Sequence, residues 1–289
     1  MNLTYLARYV RHDMFRLSLL WQRDAAGYFA TGQQSGTHWI SNLMATAICL
    51  QYGVPKPAHI RDRSLICHPR LASRDAHLPR LVRTHHAPSP LVHSSLMRTL
   101  LRFPRYVVLL RDIRASMVSR FERQTVELAG VSFSESLRDH GFWERGTKWD
   151  LYKRFAFFNA WGDVAQRLPD QTLIVHYENL RRDTPGELER VWRFLELPVS
   201  DTAMFAKAAA ECSKDRMAAQ DPHVRSISLV RKDERDPVDW FNAEDREYFS
   251  ARCAELLRHT FGYDFNDWTS AKRAPRTAGQ TAAPVARAA

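Results

Sequence analysis

A chain of 289 residues with 45% hydrophobic and 11% aromatic content can bury a sizeable core, and its length suits one large α/β domain better than a string of modules. The net charge of +10 favours anionic partners, but Lys and Arg are scattered through every segment, which argues against a nucleic-acid module with its cations on one face. Cys49, Cys67, Cys212 and Cys253 stand far apart without CxxC spacing, so zinc sites and disulfide frameworks are disfavoured and a reducing cytoplasm fits best.

The N-terminal residues interleave Arg8, Arg11, His12 and Arg16 with Leu3, Leu6, Val10, Phe15 and Leu19, the pattern of an amphipathic helix and not of a signal peptide. The longest apolar windows, Ile40 to Leu50 and Phe155 to Trp161, fall short of the roughly 20 apolar residues that span a bilayer, so no membrane partner is expected. Next comes GYFATGQQSGTHW from Gly27 to Trp39, a short apolar strand running through a Gly/Ser/Thr turn straight into a helix near Thr37. Gly32 and Gly36 allow tight-turn angles, the amides of Ser35 to His38 fall at the positive end of that helix, and the hydroxyls of Ser35 and Thr37 add donors. This is phosphate-binding geometry, although ordinary α/β domains use the same kind of turn to connect their elements. The Gly-Lys-Ser/Thr ending of a Walker A loop is missing, which argues against a P-loop kinase.

Strand-length apolar runs recur at Tyr28 to Thr31, Leu81 to Thr84, Tyr106 to Leu110 and Thr172 to Val175, most followed by a helical pattern. The alternation predicts parallel strands joined by helical crossovers: an α/β fold, a single P-loop-like three-layer domain with a central parallel sheet flanked by helices. Tyr106 to Leu110 is continuously apolar, as in a strand covered on both faces. Thr184 and Pro185 open a helix with Glu187 at the capping-box position, and Asn242 with Asp245 opens another. The domain is expected over 1–268. Residues 269–289, rich in Ala, Pro, Gly and Thr with cations and no acid, have the composition of a disordered basic tail.

Such sheets bind ligands beyond the carboxyl ends of their strands, which directs attention to four short segments. Arg83-Thr84-His85-His86 ends the second strand, and a His there could take a proton from a nucleophile or serve only as a structural histidine. Arg111 ends the third, with Ser119 two helical turns on; fork and hydroxyl could converge on a phosphate, or Arg111 could pair with Asp112 or another carboxylate. Tyr177-Glu178-Asn179-Leu180 ends the fourth. Arg231-Lys232-Asp233 offers two adjacent cations before Asp239-Trp240, unless it is only a solvated turn. Trp149, Tyr152, Phe155, Phe158 and Trp161 form a helical aromatic stripe assigned to the core. His59, His68, His77, His85 and His93 lack the three- or four-residue spacing of helical metal ligands, so no metal is expected.

Taken together, these segments resemble the sulfotransferases that use 3′-phosphoadenosine 5′-phosphosulfate, over roughly residues 27 to 263. Gln33 to Trp39 resembles the family's 5′-phosphosulfate loop, with Gln34 where a Lys is usual. Arg111 and Ser119 keep the family's eight-residue spacing for the 3′-phosphate, and His85 resembles its catalytic His in a Lys-Thr-His segment in which Arg83 replaces the Lys. Tyr177 and Trp39 resemble its adenine-contacting aromatics, Arg231 and Lys232 its Arg-Lys-Gly loop with Asp233 in place of Gly, and Cys212-Ser213-Lys214 with Met217 loosely resembles another adenine segment.

The resemblance implies transfer of a sulfuryl group from the phosphosulfate co-substrate to a hydroxyl or amine of a small-molecule acceptor, without metal. It implies catalytic roles for His85, Arg83 and Gln34, and binding of the nucleotide by Gln34, Ser35, Gly36, Thr37, His38, Trp39, Arg111, Ser119, Tyr177, Arg231 and Lys232. The alternative is a protein that binds the nucleotide with weak or lost transfer, because an amide at Gln34 gives a neutral hydrogen bond where the family has a charge; losing such a donor costs on the order of 3 kcal/mol, about a hundredfold in rate. Arg83 is the expected substitute, with His38 a second candidate. Nothing in the sequence opposes a homo-oligomer or identifies the acceptor.

Overall fold

The structure is a computed structural model that describes residues 25–57, 64–67, 75–88, 94–100, 103–123, 130–139, 150–213, 215–217, 235–273 and 275. Among these residues five parallel strands make one sheet: β1 (Gly27–Thr31), β2 (Ile66–Cys67), β3 (Leu81–Thr84), β4 (Tyr106–Leu110) and β5 (Thr172–His176), in the order β2-β3-β1-β4-β5. The four strands expected from apolar runs are present to within one residue at their ends. The edge strand β2 is an addition, since two residues are too few to leave a period in sequence.

Side-chain alternation along the strands builds the two outer layers. Phe29, Leu81, Val107, Leu109 and Val175 face one way, against α1 (Thr37–Tyr52), α7 (Thr184–Phe194) and α8 (Ala203–Glu211). Tyr28, Ala30, Val82, Tyr106, Val108 and Leu110 face the other, against α3 (Ile113–Arg123), α5 (Leu151–Arg167) and α9 (Ala243–Leu256). Among the described residues there are also the short α-helices α2 (Ser95–Leu100), α4 (Phe133–Arg138) and α6 (Tyr177–Arg182). Every residue of β4 is buried, as its unbroken apolar run predicts for a strand covered on both faces. Phe155, Phe158 and Trp161 of α5 lie in the core, as the stripe predicts, whereas Tyr152 is only half-buried with its hydroxyl 3.3 Å from that of Tyr248, and Trp149 lies outside the described residues.

Helix caps follow the chemistry of their residues. Asn242 and Asp245 form a reciprocal capping box on α9. For α7 the cap is Asp183, which accepts from the Gly186 amide 3.0 Å away; the shorter carboxylate reaches the first turn, while the Thr184 hydroxyl donates back to the Leu180 carbonyl. The expected capping box at Glu187 therefore does not form: the N-cap lies one residue earlier, and the residue three on from it is Gly186, which has no side chain to return the bond. Packing also runs past residue 268: Ser270 and the Ala271 amide both bond Asp236, and Ala271 is buried against Ala115 and Val238. The N-terminal amphipathic pattern and residues 276–289 lie outside the described residues. Among the described residues no helix is long and apolar enough to cross a membrane.

The position of β1 matters most for function. Its neighbours are β3 on one side and β4 on the other, so the chain leaves β1 in opposite directions before and after β3. This is a topological switch point, the place in open α/β sheets beyond whose strand ends ligands bind.

Candidate functional site

Thr31 ends β1 and Thr37 begins α1, and the turn between them is left-handed twice, at Gln34 (φ 61°) and Gly36 (φ 92°). Gly36 is required on two grounds: its positive φ, and the ring of Tyr177, whose Cδ2 would lie 2.7 Å from an added Cβ. Gly36 is also the N-cap of α1 and offers it no side-chain cap, so the donors of the first turn remain for a ligand at the positive end of a 16-residue helix. Ser35 is buried and its amide is 3.3 Å from the Gly32 carbonyl. The hydroxyls of Thr31 and Thr37 are 2.8 Å apart and tie the end of β1 to the start of the helix. His38 occupies the same first turn, half-buried.

Two guanidinium groups hold the carbonyls of this loop. Arg111, at the end of β4, donates from Nη1 to the Gln34 carbonyl at 2.8 Å, and Arg154 of α5 donates to the Gln33 carbonyl at 2.9 Å. Asp112 does not compete for Arg111, because it holds Arg114 in a buried pair at 2.7 Å. The Arg111 guanidinium lies 4.6 Å from the centroid of the Tyr177 ring, a cation–π contact at the end of β5. Tyr177 in turn meets Trp39 edge to face at 5.6 Å, and Trp39 donates from its indole to the Cys212 carbonyl at 3.0 Å. The Cys212 segment thereby reaches the loop.

His85 follows β3 directly. Its Nδ1 is 2.9 Å from the Thr31 carbonyl and 3.2 Å from the Thr31 hydroxyl. A carbonyl oxygen only accepts, so Nδ1 carries the hydrogen and Nε2 is the basic nitrogen of the neutral ring. His86 is built into the framework instead: its amide donates to the Thr84 hydroxyl at 3.1 Å, and its carbonyl accepts from the Trp161 indole. Arg83 points to the α1 side of the sheet, where Nη1 donates to the Ser41 hydroxyl at 3.2 Å, one helical turn beyond Thr37.

Of the residues singled out in sequence, Gln34, Gly36, Thr37, Trp39, His85, Arg111 and Tyr177 are thus linked by contact or hydrogen bond around one loop. Ser119 is half-buried on α3, and among the described residues no hydrogen bond ties it to the loop. Arg231, Lys232 and Lys214 lie outside the described residues. Met217 is buried.

Two further groups were missed. Arg154 sits at helical spacing between Leu151 and Phe158 on the buried face of α5, and a lone cation on such a face is the one signal that could have exposed it. Glu178 is buried beside the loop, accepting from the Tyr263 hydroxyl at 2.7 Å and the Asp112 amide at 3.1 Å. Burial pushes its carboxyl up to about 7, against the pull of those two donors.

Comparison with known proteins bears on the fold and the family. A search of curated proteins by sequence finds no match. Among solved structures, the chain is similar to mouse sulfotransferase SULT7A1 complexed with PAP (16% identity, covering 84% of this chain and 90% of that one, TM-score 0.55). It is also similar to retinol dehydratase in a complex with retinol and PAP (17% identity, 90% and 88% covered, TM-score 0.57), and to retinol dehydratase with androsterone and inactive cofactor PAP (18%, 80% and 80%, TM-score 0.52). Identities this low speak for the fold alone. The family is settled by sequence: the sulfotransferase domain matches residues 29–261, most of the chain and every segment of the loop-centred site described above, and the chain belongs to the sulfotransferase domain family.

Proposed function

We propose that the protein transfers a sulfuryl group from 3′-phosphoadenosine 5′-phosphosulfate to a hydroxyl or amine of a small-molecule acceptor, with His85 as general base. The observation that carries this reading is the 2.9 Å contact of His85 Nδ1 with the Thr31 carbonyl, which assigns the hydrogen to Nδ1. Thr31 bonds Nδ1 of His85 and, through its hydroxyl, the phosphate loop at Thr37, so a basic Nε2 is fixed in register with an anion cradle. The PAP bound in the similar structures supports the choice of nucleotide.

The residues present suit such a co-substrate. Arg111 has a buried Nε with no hydrogen-bond partner among the described residues, beside an uncapped helix N-terminus and an aromatic pair. Gln34, Ser35, Gly36, Thr37 and His38 would hold the 5′-phosphosulfate through amides and hydroxyls. Trp39 and Tyr177 would flank the adenine, and Arg111, Ser119, Arg231 and Lys232 would take the 3′-phosphate. In the reaction the acceptor oxygen or nitrogen forms a bond to sulfur as the bond from sulfur to the bridging phosphate oxygen breaks. The acceptor proton passes to Nε2 of His85, and 3′-phosphoadenosine 5′-phosphate leaves. Amides, Gln34 and Arg83 stabilise the charge that grows on the leaving oxygen. Neither nucleic acid nor membrane is a partner in this reading, and cysteine spacing favours the cytoplasm.

The test incubates the protein with labelled phosphosulfate and a mixed panel of phenols, alcohols, sugars and amines, with sulfated products identified by mass. His85→Ala should lower kcat by about 10²- to 10⁴-fold while leaving nucleotide affinity within about twofold. Arg83→Met should abolish transfer and likewise spare binding. Gln34 favours one second reading, a nucleotide-binding protein with weak transfer. Tight binding of 3′-phosphoadenosine 5′-phosphate with no product from any acceptor would establish that reading instead.

A further inference from the structure

The cation that touches the phosphate loop from beneath is not one that the loop-and-strand segments supply. Arg154 comes from α5 and is 2% exposed. Its Nη1 bonds the Gln33 carbonyl and the Ser116 hydroxyl, each at 2.9 Å, while Nη2 is 3.4 Å from the Ser116 carbonyl and Nε is 3.0 Å from the Met117 sulfur. Asp150 acts on it electrostatically from the N-cap of the same helix, yet its guanidinium also reaches a loop backbone 121 residues away in sequence. Arg111 bonds the next carbonyl, that of Gln34.

Consecutive carbonyls drawn toward two guanidinium groups determine how the intervening peptide lies. Gln34 has a Cβ and a φ of 61°, a conformation costly to a residue that is not glycine, so the surroundings must hold it there. A turn with alternate left-handed residues orients its amides into a concavity that suits an anion. Resting on the reading of this loop as the 5′-phosphosulfate cradle, we infer that Arg154 is a positioning residue for the co-substrate: it holds the Gln33 carbonyl, and with Arg111 it locks the turn at Gln34 so that the loop donors face the 5′-phosphate. The grip also places a positive charge behind a loop whose own side chain at position 34 has none. Burial, followed by the like charge of Arg120, draws the Arg154 guanidinium down to about 9, with Asp150 opposing, and it remains charged at neutral pH.

The inference separates ligands by their phosphates. Titration calorimetry of the full chain would compare 3′-phosphoadenosine 5′-phosphate with adenosine 3′-phosphate, which lacks the group that the loop holds. Arg154→Met should weaken the bisphosphate at least about tenfold and change the monophosphate by less than about twofold, the loss expected when a charge-assisted bond to the loop disappears. Arg154→Lys keeps the charge but cannot bridge the Gln33 carbonyl and Ser116 as a planar fork does, so it should show a smaller loss, again confined to the bisphosphate. Ser116→Ala, which removes one anchor of the guanidinium, should do the same. If Arg154→Met does not fold, the Lys and Ala variants decide the matter on the same ratio. Equal weakening of both ligands, or no weakening of either, overturns the role of Arg154 and leaves the proposed activity standing. A wild-type protein that binds neither ligand overturns both.

Discussion

Gln34 occupies one of the two left-handed positions of the β1–α1 loop with a neutral amide, at the place where the proposed reading expects a lysine. A charged donor forms a bond to a phosphate oxygen about twice as strong as a neutral one, so Gln34→Lys should raise kcat about tenfold in the sulfation assay. No gain, or a loss, would mean that cations already present saturate the leaving oxygen. Gly36 allows less latitude. An alanine there meets both a φ of 92° and the Tyr177 ring at 2.7 Å, and should lower stability by about 1–3 kcal/mol and nucleotide affinity by at least about tenfold. Denaturant titration and calorimetry on Gly36→Ala would read the two losses separately; near-wild-type values of both would show that the loop does not depend on this close approach. Residues such as Gly36, His85 and Tyr177 were legible because turn chemistry and the ends of apolar runs place them just beyond the carboxyl ends of the strands. Arg154 was not, because its partners are a backbone carbonyl and a serine on other elements, and sequence periodicity shows a helix face without showing what lies against it.

At the level of elements, the ends of β4 and β5 are joined behind the site by a buried acid. Glu178, the second residue of α6, binds the Asp112 amide and the Tyr263 hydroxyl, and Asp112 in turn grips Arg114. Burial raises Glu178 to about 7 from an ordinary 4.5, so the native state keeps a proton that the unfolded chain has released. Stability from this group is full below pH 4.5 and disappears as pH rises through 7, at most about 3 kcal/mol for a shift of this size. His176, the last residue of β5, has the opposite sign. Burial draws it down to about 4, so it stabilises the fold above pH 6.5 and withdraws that contribution as pH falls through 4. The two slopes oppose each other between pH 4.5 and 6.5. Glu178→Gln should remove one of them, so the variant gains stability relative to wild type as pH rises from 5 to 8 and shows a rising His176 limb at acid pH. Urea titrations of both proteins at pH 5 and pH 8 measure this, and parallel profiles would refute it. The Tyr-Glu segment was visible in sequence, but the burial of its carboxylate depends on Tyr263, which arrives from the far end of the chain. Likewise β4 was legible from its apolar run, whereas β2 contributes only two residues to the sheet edge and left no pattern.

For the molecule as a whole, the question is what the stretch from 257 to 273 contributes to a sheet whose described strands all lie before residue 177. Leu257, Tyr263 and Phe265 are buried in the core between the sheet and α5, and Phe261 packs against it. The same stretch satisfies polar groups that belong to earlier elements. His259 and Arg258 pair with Asp163 of α5, the Phe261 carbonyl bonds His176, and the carbonyls of Asp264 and Asp267 accept from Arg114. Ending the chain at Leu256 would therefore open an aromatic cavity and strand Glu178, Arg114 and His176 without these partners. Each buried polar group left unsatisfied costs about 1–3 kcal/mol and each lost core aromatic about 3–5 kcal/mol. Together they reach the whole stability of an ordinary domain, about 5–15 kcal/mol, so this truncation should not fold. Ending the chain at Pro275 is a different matter, because the residues beyond it are Ala, Pro, Gly, Thr, Gln, Val and Arg without an acid, a composition that builds no core. That protein should melt within about 2 °C of the full chain and bind 3′-phosphoadenosine 5′-phosphate with unchanged affinity, as a loss of under about 0.5 kcal/mol implies for a domain of this size. Thermal melts of the two truncations settle the contrast. A folded, nucleotide-binding chain ending at Leu256 would show that the strands and crossovers alone carry the fold and that Arg114 holds Asp112 beside the site without help from the C-terminal stretch.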